Sequence, residues 1–294
     1  MPPGAPEPAH PLLLGLVGRP VAHSLSPRVI AELARRSKVS ARYELVDSDA
    51  VGLPGFLKRV RSEGWGGFNV TYPLKEAVAG QLDAFDENAA ALLAVNVVRR
   101  EGSLWKGYNT DMDGFRLALA SVGTDLKGRR VVVWGSGGAA RAAVLASARA
   151  GAQWVTVFSR DPARARPLID GLLSRVPGAR LKVQRTGEPP PEDADVWVNA
   201  TTVGMPGVPV PSAVWDLPAR PRGVACDFVY GGGETPFLAC CRSAGLAVVP
   251  GTMVLVGQAL RAWELWTRRP LHDVETQLRE IAALVAGEAP RGDA

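Results

Sequence analysis

The chain contains few residues of the kinds that hold metals or disulfides. Its 294 residues include three histidines and three cysteines, and Cys226, Cys240 and Cys241 show none of the C-x-x-C spacings of metal and redox sites. This scarcity predicts no metal centre and no disulfide framework, and it fits a reducing, cytoplasmic location.

Long apolar stretches and charge of one sign are also lacking. The apolar stretch at 244–256 is broken by Pro250 and Gly251, and it is shorter than the ~18 residues that span a bilayer. The start of the chain has no basic segment of the kind that opens a signal peptide. The net charge is +5, but the basic residues stand in scattered pairs and form no stripe. We therefore expect a small-molecule substrate, with neither a membrane nor a nucleic acid as partner.

The composition that is present is that of a folded protein with more than one domain. Hydrophobic residues make up 47% of the sequence and charged residues 21%, which excludes an intrinsically disordered chain. One domain usually has about 100 to 200 residues, so this length predicts two domains. Lysine is rare, with six residues against 28 arginines, and each lysine therefore merits inspection.

Alternation of strand-like and helix-like runs predicts an α/β fold. The first cycle has a strand at 12–17, a helix at 28–37, a strand at 41–46, a helix at 53–62 and a strand at 67–70. The second cycle has a strand at 131–134, a helix at 139–150 and strands at 154–158, 180–184, 196–199, 224–227 and 247–249. Two further helices, separated at Pro270, are predicted between 254 and 287. This alternation is typical of mainly parallel sheets covered by helices.

A glycine-rich turn joins the first strand and helix of the second cycle. It fits the pattern G-x-G-x-x-G/A with the residues Gly135, Ser136, Gly137, Gly138, Ala139 and Ala140. Such a turn lets the backbone approach a pyrophosphate, and the N–H groups at the helix start bind its charge. The sequence predicts a dinucleotide site here, with a βα turn that binds no ligand as the alternative.

The end of the next strand indicates which dinucleotide is bound. An acidic residue there favours NAD, whereas arginine accommodates the 2'-phosphate of NADP. The strand ends at Phe158 and is followed by Ser159, Arg160, Asp161 and Arg164. NADP is favoured because Ser159 stands where the acid would stand. The alternatives are a ribose contact by Asp161 and arginines that only contact solvent.

Polar residues of the first half have the chemistry of a site for a small anionic or hydroxylated ligand. Ser24 and Ser26 can point the same way from an extended loop, although Ser26 with Pro27 also fits an ordinary helix start. Thr71 and Lys75 follow the strand at 67–70 in a proline-containing turn, where a lysine exposed on a surface helix is the alternative.

Further polar residues follow before the middle of the chain. Asn96 interrupts an apolar run, where a buried amide requires a hydrogen-bonding partner. Thr110 and Asp111 precede a predicted helix, so each of them fits either a ligand site or a helix cap.

In their order along the chain, these segments closely resemble the shikimate dehydrogenase family. The resemblance extends over about residues 12 to 270, and its polar runs are specific because no requirement of the fold fixes them together. The matching runs are 18–27, 67–75, 94–96, 107–114, 135–142, 199–205, 227–230 and 255–258.

The resemblance implies a two-domain α/β enzyme and its reaction. A substrate (catalytic) domain at 12–113 is completed by C-terminal helices at 251–287, and a Rossmann-like NADP-binding domain occupies 114–250, with the active site in the interdomain cleft. The implied reaction is the reversible NADPH-dependent reduction of 3-dehydroshikimate to shikimate, in the pathway to chorismate and the aromatic amino acids. The implied assembly is a monomer or a homodimer.

The resemblance also implies roles for individual residues. Lys75 and Asp111 form the catalytic pair, in which an ammonium group supplies the proton to a developing alkoxide and a carboxylate positions it. The implied substrate ligands are Ser24, Ser26, Thr71, Lys75, Asn96, Asp111, Tyr230 and Gln258. The implied cofactor ligands are Gly135, Ser136, Gly137, Gly138, Ala139, Ser159, Arg160, Arg164, Thr201, Phe228 and Gly251.

Several positions depart from the family pattern. Leu93 and Val97 stand near Asn96 where the family usually has Gly and Thr, and Ser159 and Asp161 replace an Asn and a Thr. These changes bear on substrate tuning and cofactor preference more than on activity.

Two other functions share much of this pattern. A quinate or quinate/shikimate dehydrogenase would use NAD more readily, but such enzymes more often have Thr at the position of Ser26. A shikimate- or quinate-sensing module would have kept the fold and lost the chemistry, whereas this chain retains both Lys75 and Asp111.

Overall fold

The chain folds into two α/β units in a computed structural model. The structure describes residues 10–173, 176, 178–211, 215–231 and 233–287. The described residues of Met1–Thr110 and Ala259–His272 form the first unit, and those of Asp111–Gln258 and Asp273–Ala294 form the second. Within the described ranges, no helix is both long and apolar enough to cross a membrane.

The first unit contains a six-stranded mixed sheet. Its strands are β1 (Leu12–Gly18), β2 (Ala41–Asp47), β3 (Gly67–Val70), β4 (Ala84–Phe85), β5 (Val97–Glu101) and β6 (Leu104–Tyr108), and its helices include α1 (Ser26–Ser37), α2 (Leu53–Ser62) and α3 (Glu87–Leu92). The strand order is β2-β1-β3-β5-β6-β4. β1, β2 and β3 are parallel as the alternation predicts, while β5 is antiparallel to both of its neighbours. The C-terminal ends of β1 and β3 therefore meet the start of β5 at one edge.

Aromatic side chains fix the position of β3 in this unit. Phe68 of β3 is fully buried, and its ring contacts Phe56 of α2 edge to face with centroids 5.0 Å apart. Phe56 makes a second edge contact with Trp65, at 5.9 Å. Aromatic pairs in this geometry contribute about 0.5 to 1.5 kcal/mol beyond the area that they bury. The cluster holds the strand that leads into the turn carrying Thr71.

The second unit contains a six-stranded parallel sheet. Its strands are β7 (Arg130–Trp134), β8 (Trp154–Ser159), β9 (Leu181–Arg185), β10 (Val196–Asn199), β11 (Val224–Asp227) and β12 (Ala247–Val249). Its helices are α4 (Asp111–Ala120), α5 (Gly138–Arg149), α6 (Pro162–Leu173), α7 (Pro236–Ser243), α9 (Val274–Ala286) and the part of α8 (Gly251–Thr267) up to Gln258. The order β12-β11-β10-β7-β8-β9 reverses direction at β7, as in a Rossmann fold. Ligands of such sheets bind beyond the carboxyl ends of the strands at this reversal.

Small and aromatic residues cover opposite faces of the second sheet. α5 buries Ala140, Ala142 and Ala143, whose small side chains let the helix approach the strands closely. On the other side, the ring of Trp134 stacks on the rings of Phe158 and Trp197, with centroid distances of 5.8 Å and 6.0 Å. The ends of β7 and β8 are thereby fixed, and these ends carry the glycine-rich turn and the arginines.

Candidate active site

Two serine hydroxyls lie together beyond β1. The Ser24 hydroxyl donates to Ser26 Oγ at 3.1 Å, and the Ser26 backbone N–H donates to Ser24 Oγ at 3.2 Å. α1 begins at Ser26, but Leu25 occupies its N-cap and no side chain caps it. The interpretation of Ser26 as an ordinary N-cap is therefore wrong. The paired hydroxyls form a compact polar group suited to bind a small anion such as a carboxylate.

The turn that carries Thr71 lies beside this serine loop. Thr71 N–H donates to the Val17 carbonyl at the end of β1, and Arg19 N–H donates to the Tyr72 carbonyl, both at 2.9 Å. These bonds hold the segment after β3 against the segment after β1. Thr71 is half-buried at this junction.

Lys75 and Asn96 are fixed at the same edge by the backbone. Val95 N–H donates to the Lys75 carbonyl at 2.8 Å, and Val70 N–H donates to the Asn96 carbonyl at 2.9 Å. Lys75 is half-buried, whereas Leu74 before it is fully buried and anchors the turn. The first unit thus brings five of the residues predicted from sequence to one edge of its sheet: Ser24, Ser26, Thr71, Lys75 and Asn96.

A buried polar network supports Asn96. Its Oδ1 accepts from Thr110 N–H at 2.8 Å, and its Nδ2 donates to Thr110 Oγ1 at 3.1 Å. Asn69 Nδ2 donates to the Asn96 carbonyl at 3.2 Å, and Tyr43 donates its hydroxyl to Asn69 Oδ1 at 2.7 Å. Sequence reasoning missed Asn69 and Tyr43, although an amide within the apolar strand at 67–70 was a usable signal. The network fixes Thr110, the residue directly before Asp111.

Asp111 and Gln258 lie on two helices that cross closely in the second unit. α4 begins at Asp111, and Gly114, one turn later, faces Gly257 of α8. A Cβ added at Gly114 would lie 2.6 Å from the Val254 carbonyl oxygen and 2.9 Å from Gln258 Cβ. This approach is possible only because Gly114 has no side chain.

The glycine-rich turn presents an uncapped helix start. Gly135 has φ +117°, and a Cβ there would lie 2.6 Å from the Ala200 carbonyl oxygen, so glycine is required. Gly137 is the N-cap of α5, and as a glycine it makes no side-chain capping bond to the N–H groups at that end. A Cβ added at Gly137 would meet nothing within 4 Å. An N-cap glycine with open space beside it, at the start of a twelve-residue helix, fits a pyrophosphate, whose charge the first N–H groups of the helix can bind.

The segment after β8 carries no free acidic side chain for a ribose. The Ser159 hydroxyl lies 3.3 Å from Ser136 Oγ and accepts from Asp161 N–H at 3.2 Å. Asp161 Oδ1 accepts from Arg164 N–H at 3.1 Å, so this carboxylate caps α6. Arg160 and Arg164 are exposed and form no ion pair with a carboxylate in the described ranges. The residues present fit the 2'-phosphate of NADP.

The remaining predicted cofactor residues lie at the carboxyl ends of β10 and β11. Thr201 donates its hydroxyl to Asn199 Oδ1 at 2.7 Å and accepts from Val203 N–H at 3.1 Å. The ring of Phe228 stacks on Phe115 of α4, with centroids 5.7 Å apart. Gly251 is the first residue of α8.

A buried carboxylate joins the ends of β10 and β11. Asp227 Oδ1 accepts from Asn199 Nδ2 and from Val229 N–H, both at 2.9 Å, and Oδ2 accepts from the Thr235 hydroxyl at 2.5 Å. Burial raises the pKa of Asp227 to about 6, although these donors oppose the shift. Tyr230, half-buried, follows three residues later. Sequence reasoning did not identify this network.

Known proteins match the chain in sequence and structure. The family model of the shikimate dehydrogenase substrate binding domain matches residues 16–98. The NADP(+)-dependent shikimate dehydrogenase of Moorella thermoacetica is 37% identical over 293 residues, covering 95% of this chain and 97% of its own.

Among the solved structures with similar folds are two with different activities. Shikimate 5-dehydrogenase of Thermus thermophilus, in complex with NADP(H) and shikimate, has a TM-score of 0.80 and 35% identity, covering 93% of this chain and 99% of its own. The ligand-free 5-ketofructose reductase of a Gluconobacter strain also has a TM-score of 0.80. It is 28% identical, and the match covers 95% of this chain and 100% of the reductase chain.

Proposed function

This chain belongs to the shikimate dehydrogenase family and is an NADP-dependent oxidoreductase that interconverts 3-dehydroshikimate and shikimate, and we propose which of its residues perform each part of that reaction. The observation that carries the assignment is the meeting of Ser24, Ser26, Thr71, Lys75 and Asn96 at one edge of the first sheet. No need of the fold requires two hydroxyls, an ammonium and an amide at that edge.

Substrate binding follows from the chemistry of these groups. The paired hydroxyls of Ser24 and Ser26 bind the carboxylate, assisted by the phenol of Tyr230. Hydrogen bonds to a charged group are worth about 1.5 to 3 kcal/mol each, which is enough to orient a small acid. The ring hydroxyls are held by Thr71 and by the amides of Asn96 and Gln258.

Lys75 performs the proton transfer. Reduction of a ketone adds a hydride to the carbon and a proton to the oxygen, and NADPH supplies the hydride when bound. The Lys75 ammonium stabilises the negative charge that develops on the oxygen and donates the proton that completes the hydroxyl. Asp111 is the carboxylate of the proposed catalytic pair, in the role of a proton-network partner and not of an independent base. In the reverse direction, the neutral Lys75 amine takes the proton back.

The second unit provides the cofactor site. The N–H groups at the start of α5, in the segment Gly135 to Ala139, hold the pyrophosphate, while Arg160 and Arg164 hold the 2'-phosphate. Thr201, Phe228 and Gly251 would contribute further contacts to the bound cofactor. Under this proposal residues 12–113, completed by the C-terminal helices at 251–287, form the substrate domain, and residues 114–250 form the NADP domain, in a cytoplasmic monomer or homodimer.

The test is an initial-rate comparison of substrates and cofactors. Purified protein is assayed for oxidation of shikimate and of quinate with NADP and with NAD, and for reduction of 5-ketofructose with NADPH. We expect the highest kcat/KM for shikimate with NADP. A higher value for quinate with NAD, or for 5-ketofructose, would overturn the assignment. Binding of shikimate without turnover would identify a sensing module.

A further inference from the structure

A third arginine reaches the 2'-phosphate segment from the neighbouring strand. Arg185 is the last residue of β9 and is in register with Ser159 at the end of β8. Its Nη1 donates to the Arg160 carbonyl oxygen at 3.1 Å. Thr186 N–H also donates to the Ser159 carbonyl, at 3.0 Å. The segment between β8 and α6 is therefore attached to the end of β9 through both Arg185 and Thr186.

The contacts of Arg185 leave its charge at this segment. Its backbone N–H donates to Glu188 Oε1 at 3.1 Å, and Gln184 Nε2 donates to Glu188 Oε2 at 3.1 Å. That carboxylate interacts with the Arg185 charge electrostatically but forms no ion pair with the guanidinium, whose hydrogen bond in the described part of the chain is to a neutral carbonyl. The side chain is exposed. A guanidinium presents five N–H donors, so this one retains donors for an anion.

The local sequence gives a reason for a third cation. Asp161 places a negative charge between Arg160 and Arg164, and a phosphate monoester carries about −1.5 to −2 charges at pH 7. The Ser159 hydroxyl is already bonded to Ser136 and Asp161. A 2'-phosphate bound by the two arginines would therefore lie near a carboxylate as well, and one further positive charge would offset that carboxylate.

We propose that Arg185 is a specificity-determining residue for NADP, which fixes the Arg160 backbone and supplies the third positive charge at the 2'-phosphate. This inference rests on the proposed function, because it concerns the cofactor of that reaction. It predicts that Arg185 contributes to binding of the 2'-phosphate and not to binding of the rest of the nucleotide.

The test is calorimetric titration of two nucleotides that differ only in the 2'-phosphate. Adenosine 2',5'-bisphosphate and 5'-AMP are titrated into wild-type protein, Arg185→Ala, Arg185→Lys and Arg180→Ala. Arg180 is a matched control because it removes the same charge near the other end of β9, where its guanidinium lies over the Trp154 ring. Circular dichroism melting checks that each variant is folded.

We expect Arg185→Ala to weaken the bisphosphate about tenfold, as for loss of a charge-assisted hydrogen bond, with 5'-AMP changed less than twofold. Arg185→Lys should recover part of the loss, and Arg180→Ala should match wild type. Unchanged bisphosphate affinity in Arg185→Ala, or equal weakening of both nucleotides, would overturn the inference. Wild-type turnover of shikimate with NADP, assayed in parallel, shows whether such a failure concerns Arg185 alone.

Discussion

The buried carboxylate of Asp227 makes stability depend on pH in a predictable direction. Burial raises its pKa in the folded protein to about 6, from an ordinary value of 3.8. Between these values the folded protein holds a proton that the unfolded chain has released, so its stability falls as the pH rises. A pKa shift of about 2 units, at ~1.4 kcal/mol per unit, corresponds to about 3 kcal/mol of stabilisation of the folded protein at low pH. This stabilisation is fully lost once the pH exceeds about 6 to 7.

Asp227→Asn removes the titration and keeps the shape of the side chain. The free energy of unfolding is measured by urea denaturation from pH 4 to pH 8. The value for the variant minus the value for wild type should increase by about 3 kcal/mol as the pH rises through 6. Glu188→Gln is a control, because hydrogen bonds from Gln184 and Arg185 lower the pKa of Glu188 below its ordinary 4.5; its stability contribution is lost only as the pH falls below that value, so its difference from wild type should stay flat through pH 6. A difference between wild type and Asp227→Asn that stays constant over this range would refute the reasoning.

Three further substitutions, two of them with a matched control variant, test the packing and the site. Gly114→Ala places a Cβ 2.6 Å from a carbonyl oxygen of α8 and should lower the free energy of unfolding by about 1 to 3 kcal/mol. Its control is Gly171→Ala, whose Cβ would meet no atom within 4 Å and which should raise the free energy of unfolding by about 0.4 to 1 kcal/mol. Thr110→Val removes the buried hydroxyl that accepts from Asn96 Nδ2 and should lower the free energy of unfolding, measured by urea denaturation, by about 1 to 3 kcal/mol. Thr110→Ser retains the hydroxyl and should lose less stability. Ser24→Ala should raise the KM for shikimate about tenfold or more with a smaller change in kcat; an unchanged KM would remove that hydroxyl from the carboxylate site.

Much of the parallel framework could be predicted because buried strands are read directly from apolar runs. The strands at 196–199, 224–227 and 247–249 have the predicted bounds. The antiparallel pair β5 and β6 was missed, since the exposed residues Arg100 and Leu104 interrupt its apolar pattern. α6 was missed as well, because Pro167 within it reads as a helix breaker.

The candidate site could be predicted only in part. Single residues such as Lys75 stand out by rarity and by family pattern, and the resemblance to shikimate dehydrogenases is confirmed by the relatives. Hydrogen-bonded networks between distant segments leave no local signal. The partners of Asp227 come from Asn199 and Thr235, and Arg185 lies 25 residues from Arg160.

The central claim is that Lys75 donates the proton in ketone reduction. The most direct measurement is kcat for 3-dehydroshikimate reduction by Lys75→Ala, with Lys127→Ala, an exposed lysine of the second unit, as the control. Loss of a general acid predicts a kcat about 10² to 10⁴ lower for Lys75→Ala, a smaller change in KM, and wild-type values for the control. A folded Lys75→Ala protein with a kcat near that of wild type would contradict the account.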